Sequence, residues 1–411
     1  MSKQPKGLSP KKLLTFDAYL KRRLSRHLRR LGFLKQRNGY LLPPGASKRC
    51  VRMLHNVRRE ETLRKETAFV ASAWPQLKAY FANGSEVKPE SISPRLELVK
   101  ANTMQAKLFR LASLTWSVPV SQGYGRRMRF LVWDQQNNKL IGLIALGDPV
   151  FNLRVRDEAI GWTLKDREKR LVNILDAYVL GAIPPYNMLL GGKLVASLLR
   201  TKEIRDAFKK RYGKSRGIIS KKKKRPSLVM LSTTSALGRS SVYNRLSLNG
   251  YRILQSIGYT SGWGHFHIPD DLFELLRKFL SAHDHDYANN HRFGDGPNWK
   301  LRAVRQALSL AGLSPNLLRH GVNREVFLCS LATNAKAVLR GEAKRPKYGR
   351  LPTVAEVGKL ARERWIIPRA LRRPEYKIWR AFQIRRRLCA GVSDIRAARD
   401  QVWENKKYGT S

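Results

Sequence analysis

The chain predicts a mixed α/β core carried between basic helical N- and C-terminal regions, and three observations predict it. Its 411 residues hold 81 Lys and Arg against 30 Asp and Glu, a formal charge of +51. Apolar residues follow a helical period near both ends and form short strand-like runs in the middle. The apolar fraction is 42%, with nine Trp, fourteen Tyr and fourteen Phe, which is enough to bury real cores and excludes a disordered basic tail.

The elements follow in order. Ser9-Pro10 is a cap and first-turn proline, and Leu13, Leu14, Phe16, Tyr19, Leu20, Leu24, Leu28 and Leu31 recur at helical spacing before Gly32. A second helix is expected over about 47–82, and Pro- and Ser-bearing residues beyond it read as a linker. Met104 to Trp116 reads helical. Arg129–Asp134 and Lys139–Leu146 are strand runs joined by Gln135-Gln136-Asn137-Asn138, a hairpin signal. Ile174 to Ile183 is another strand, ending at Pro184-Pro185 and feeding a helix from about 188 to 211. Ser227–Ser232 and Tyr259–Ile268 read as further strands, and helices resume after Pro269. The boundaries expected are 1–83 basic and helical, 84–99 linker, 100–285 α/β core, and 286–411 basic and helical.

Charge is uneven along this frame. Residues 1–60 carry 17 basic and 2 acidic side chains, 201–225 carry 12 and 2, and 336–388 carry 17 and 4, whereas 226–300 carry 7 and 6. A chain this basic repels itself, and a polyanion that condenses on it and releases counterions relieves the repulsion. An ordinary metabolic enzyme is excluded, and nucleic acid is the expected partner, DNA ahead of RNA. Candidate phosphate contacts are Arg22, Arg26 and Arg30 on the first helix and the run Lys221, Lys222, Lys223, Lys224 and Arg225, expected in a loop. Arg239 and Arg245 beside a polar turn, and Arg385, Arg386 and Arg387 near the C-terminus, complete them. Cys50, Cys329 and Cys389 are odd in number and scattered, which argues against a disulfide framework or thiolate zinc site and for a reducing, cytoplasmic setting. No apolar window is long enough to span a membrane.

Chemistry could sit in three places. The segment Ser232–Leu246 is the densest polar stretch, leaving a buried strand and entering an expected short helix, where hydroxyls and free N–H groups could cradle an anion. A capped turn that only satisfies its own donors is the alternative. Ser240 and Tyr243 are its candidate catalytic side chains. His265 and His267, placed on a strand, would project to one face, where they read first as neutral histidines packed beside Trp263 and second as a two-ligand metal site for Mg²⁺ or Mn²⁺, completed by Asp284, Asp286 or His291. Tyr186–Lys193 follows a strand and opens a helix, a position suited to a phosphate. Asp148, Asp157, Glu158 and Asp176 are noted as scarce carboxylates near strand ends, and Walker-type and zincin motifs are missing.

The stretches Thr233–Leu246, Gly258–Pro269 and His320–Phe327 resemble the DruA family, named from the Druantia anti-phage defence system, over about residues 100–380. That resemblance implies bacterial phage-defence or mobile-element biology acting on nucleic acid, with other defence proteins as further partners. It implies no catalytic residues. The order of core elements also resembles the GNAT acyltransferase fold, a likeness of fold alone. The expectation is therefore a nucleic-acid-binding protein with a GNAT-like core. Its alternatives are a metal-dependent nicking nuclease using His265 and His267, a metal-independent acyltransferase using the Asn187–Lys193 turn, and a non-enzymatic recruiter.

Overall fold

The computed structural model describes residues 10–120, 125–216, 223–283, 285, 288 and 298–389. Two compact units emerge. One, the helical unit, comprises Met1–Arg59, Ala236–Arg239 and Tyr259–Arg324; the other, the sheet unit, comprises Glu60–Ser235, Ser240–Gly258 and Glu325–Ser411.

In the helical unit, α1 (Pro10–Arg30) buries Leu20, Leu24 and Leu28 along one stripe, as the four-residue spacing requires. Further along, α8 (Asp270–Ala282) and α9 (Asn298–Leu310) supply Leu272, Phe273, Leu276, Phe279, Val304 and Leu308 to the same core. Phe16 meets Phe279 edge-on at 5.8 Å. Helix α2 (Lys48–Leu77) begins in this unit and ends in the other.

The sheet unit is built on seven strands: β1 (Pro94–Leu98), β2 (Arg127–Asp134), β3 (Lys139–Gly147), β4 (Ile174–Ala182), β5 (Met230–Thr234), β6 (Gln255–Tyr259) and β7 (Glu325–Ser330). Their order is β6-β7-β5-β4-β3-β2-β1. β1 to β4 form an antiparallel meander, β4 and β5 run parallel, and β5 and β7 run antiparallel. β3 reads as a continuous apolar run because it is buried along its whole length after Lys139. One face carries Leu175, Leu194, Leu198, Leu231 and Phe327, and the other carries Leu108, Leu131, Leu143 and Val179.

Several expectations need correction. The strand expected over Tyr259–Ile268 ends at Tyr259. Gly262 and Gly264 follow with φ of +64° and +151°, conformations that interrupt an extended ladder. Residues 94–98, read as linker, form the edge strand β1, whose leading proline is tolerated because an edge strand has one unpaired side. β7 was not foreseen. The helix expected over 188–211 divides into α6 (Gly191–Ser197) and α7 (Lys202–Tyr212), separated by a 3₁₀ turn and an extended Thr201. The short helix expected near Tyr243 is a turn. Among the described residues, no helix is long and apolar enough to cross a membrane, and Cys50, Cys329 and Cys389 are all free thiols.

Candidate nucleic-acid interface and core polar site

On α1 the three candidate arginines stand four residues apart, so Arg22, Arg26 and Arg30 form one exposed column opposite the leucine stripe, with Arg29 exposed beside it. The nearby carboxylates are taken by other cations: Asp17 pairs with Lys21 at 2.6 Å and Asp271 with Arg23 at 3.2 Å. Like charges at four-residue spacing weaken a helix by roughly 0.2–0.5 kcal/mol per pair. The column is thus kept against a local penalty that an anion would remove.

A second gathering of cations lies in the sheet unit. Lys193 on α6 is held below the usual ammonium range, first by burial and then by repulsion from the Arg364 and Arg245 guanidinium groups. The Lys193 ammonium lies 5.3 Å from the Trp365 ring centre, and Arg245 and Arg364 are exposed. Among the described residues, no carboxylate forms an ion pair with any of the three. Gly191 is required by packing, since a Cβ there would lie 2.6 Å from the Tyr186 carbonyl, whereas a Cβ at Gly192 would meet open space. Arg364 was missed because nothing in its sequence neighbourhood ties it to residues 193 and 245.

The other candidate cations fall elsewhere. Lys223 and Lys224 form a short antiparallel ladder with Ser215 and Arg216 rather than a loop, Arg225 is exposed, and Lys221 and Lys222 lie outside the described residues. Arg239 is exposed in the helical unit, and Arg385, Arg386 and Arg387 are exposed on α13 (Phe382–Cys389) of the sheet unit.

Within the sheet unit, the polar turn hangs on Glu325, a residue that sequence reading passed over inside a family-like stretch. Its carboxylate is 3% exposed and accepts from the Ser240 backbone N–H (2.9 Å), Asn244 Nδ2 (2.7 Å) and Ser256 Oγ (2.8 Å). Ser240 Oγ accepts from the Tyr243 N–H at 3.1 Å. Tyr243 packs edge-on against Phe327 at 5.5 Å, and its hydroxyl donates to the Leu180 carbonyl at 2.9 Å. Burial raises that phenol above its ordinary range, so it stays protonated.

These bonds have a structural consequence at the parallel step of the sheet. The β4–β5 register runs from Ile174–Met230 to Asp176–Ser232. Beyond it, Thr233 Oγ1 donates to the Ala177 carbonyl at 2.8 Å, and the Tyr243 hydroxyl reaches Leu180, so side chains satisfy the freed carbonyls. Asp176 accepts from Ser232 Oγ at 2.7 Å, and its carboxyl is pushed up to about 6, chiefly by burial. The remaining scarce carboxylates are paired: Asp148 with Arg126, Glu158 with Arg154, and Asp157 with both the fully buried Arg156 and Arg167.

His265 and His267 occupy a turn, not a strand, so the shared-face geometry expected of them is not present. His267 is 2% exposed; its Nε2 lies 3.0 Å from the Leu317 carbonyl, and its backbone oxygen contacts His27 Nε2 at 2.8 Å. Phe266 beside it stacks on His55 at 4.4 Å and meets His320 edge-on at 4.6 Å. Burial lowers His55 and His267 to about 3, His265 to about 4 and His320 to about 2, so this cluster is neutral at pH 7. Among the described residues, no three His, Cys, Asp or Glu side chains gather in metal-ligand geometry. Asp284, Asp286 and His291 lie outside them.

The comparisons agree with one of the resemblances. The family model described as Druantia protein DruA matches residues 46–341. A curated relative, Druantia protein DruA of Escherichia coli (strain UMEA 4076-1), is 53% identical over 365 residues, covering 89% of this chain and 90% of the relative. No solved structure matches. A family match over most of the chain, joined to a relative of such identity across nearly its full length, establishes that the chain belongs to the DruA family.

Proposed function

We propose that this DruA-family chain is a nucleic-acid-binding protein of a phage-defence system, gripping phosphates, DNA ahead of RNA, and working with other defence proteins. The observation that carries the reading is the gathering of cations that no carboxylate among the described residues neutralises: the Arg22, Arg26 and Arg30 column, and Lys193 with Arg245 and Arg364. Such groupings are costly in the free protein and are relieved by a polyanion.

Binding is favoured over cutting. Tyr243 keeps its proton and spends its hydroxyl on a backbone carbonyl, and Ser240 spends its oxygen on a backbone N–H. The core is read as GNAT-like on its element order and on the parallel β4–β5 pair beside the antiparallel β1–β4 meander. Acyl transfer is the weaker reading, because the Tyr186–Lys193 turn passes through Leu190 at φ +60° into a helix of only seven residues, Gly191–Ser197.

Fluorescence anisotropy with a labelled 25-bp duplex, titrated between about 50 and 200 mM salt, tests the reading. The logarithm of affinity should fall linearly with that of salt, by roughly 0.9 for each phosphate neutralised. Replacing Arg22, Arg26 and Arg30 with Ala should flatten the slope by roughly 2–3. Affinity that does not change with salt would overturn the proposal.

A further inference from the structure

We propose that the segment 367–389 carries an apolar wedge, made of Leu371, Ile378 and Phe382, that enters between base pairs of double-stranded DNA; this rests on the nucleic-acid reading above. The starting observation is exposure. Leu371 is 77% exposed, Ile378 75% and Phe382 62%, so three of the four most exposed large hydrophobic residues among those described fall within one short stretch of the sheet unit.

Their exposure is not that of a loose tail. Between and beyond them, Tyr376, Trp379, Ile384 and Leu388 are buried in the unit's cores. The Trp379 carbonyl accepts from the Gly84 N–H at 2.8 Å, and Asn83 Oδ1 accepts from the Ala381 N–H at 2.9 Å. Contact at Gly84 is so close that a Cβ there would lie 1.8 Å from the Tyr376 carbonyl oxygen. Each apolar residue also stands at or next to the end of an element: Leu371 in the last turn of α12 (Ile367–Arg372), Ile378 closing the 3₁₀ turn Pro374–Ile378, and Phe382 opening α13. The backbone is anchored while three apolar side chains are left in water.

Charge selects the occupant. Residues 367–389 hold eight basic side chains and one acidic one, Glu375. Arg372 donates to the Pro368 carbonyl and Arg380 to the Lys377 carbonyl, neutral acceptors that fix the guanidinium groups without cancelling their charge. Arg373 with Glu375, at 3.5 Å, is the segment's ion pair among the described residues, and both partners are largely exposed. A second copy of a chain with net charge +51 is a poor occupant for such a face. Duplex DNA suits it, because its phosphates stand directly outside a stacked apolar interior, and Leu, Ile and Phe are the side chains that wedge base steps apart. Single-strand stacking platforms use aromatic rings, which Leu371 and Ile378 do not have.

The test uses the full chain and a 25-bp duplex bearing 2-aminopurine at a central TA step, with a donor and an acceptor dye at its ends. The wild type should raise 2-aminopurine fluorescence by unstacking and shorten the end-to-end distance by kinking. The triple variant Leu371→Ala, Ile378→Ala, Phe382→Ala should lose both signals and roughly tenfold or more in affinity, while its salt slope stays that of the wild type. Its melting temperature should not move; if it does, single Leu371→Ser and Phe382→Ser variants, each expected to lose part of the signal, replace it. Wild-type protein that binds no duplex at low salt overturns the nucleic-acid reading itself. Salt-dependent binding without unstacking, or a triple variant with an unchanged signal, overturns the wedge alone. So does a triple variant that converts a wild-type dimer to monomer in sedimentation, which would assign the face to a second copy.

Discussion

The buried imidazoles make acid the sharpest perturbation of the helical unit. In an unfolded chain His55, His267 and His320 take up protons near pH 6.5, whereas in the fold they resist until about pH 3, 3 and 2. The cause is burial first; Arg324 and Arg58 then act on His55, and neighbouring imidazoles and Arg324 on His320. Between these limits the unfolded state binds more protons, so stability is full above about pH 7.5 and is lost as pH falls through 6.5. At pH 5 each imidazole costs about 2 kcal/mol, roughly 6 kcal/mol for the three, a large share of an ordinary domain's stability. Asp176 has the opposite sign. Its folded carboxyl titrates near 6 against an ordinary 3.8, so the sheet unit should gain roughly 1 kcal/mol over the same interval. Hydrogen exchange read by mass spectrometry at pH 7.5 and 5, corrected for intrinsic rates, resolves the two units. Peptides from α1, α8 and α9 should lose protection by several kcal/mol, while those from β2 to β4 should not. Equal protection of the helical unit at both pH values would refute the reasoning.

Other predictions concern the sheet unit. Asp157→Ala should destabilise it by about 3–5 kcal/mol in urea unfolding, because the wholly buried Arg156 is left without its carboxylate. Tyr243→Phe should cost about 1–3 kcal/mol by orphaning the Leu180 carbonyl, yet leave duplex affinity unchanged in the anisotropy titration. Gly84→Ala should lower the melting temperature, since its Cβ collides with backbone that cannot move aside cheaply.

Legibility in the sequence followed the range of the forces involved. α1 could be read because its leucines and arginines repeat at helical spacing, and β2 to β4 because their buried runs are long and bounded by turn residues. Trp263, His265 and His267 alternate like a strand, but the left-handed glycines around them override the pattern, and the histidines fill a helical core instead. The polar turn was visible as a dense stretch, whereas its anchor, Glu325, lies 85 residues away from Ser240 and belongs to a strand whose pattern was not recognised. Arg364, likewise, comes within electrostatic reach of Lys193 only through the fold.

The helical unit is assembled from three separated stretches of chain. Arg23 on α1 pairs with Asp271 on α8 across a separation of 248 residues. At a synthesis rate of roughly 5–20 residues per second, the leucine stripe of α1 waits about 12–50 s after leaving the ribosome before α8 exists to cover it. During that interval an amphipathic helix, arginine on one side and leucine on the other, stands beside the ribosome's own RNA. An isolated N-terminal fragment would keep Phe33, Leu41, Val51 and Leu54 of that core and lack everything that α8 and α9 add to it.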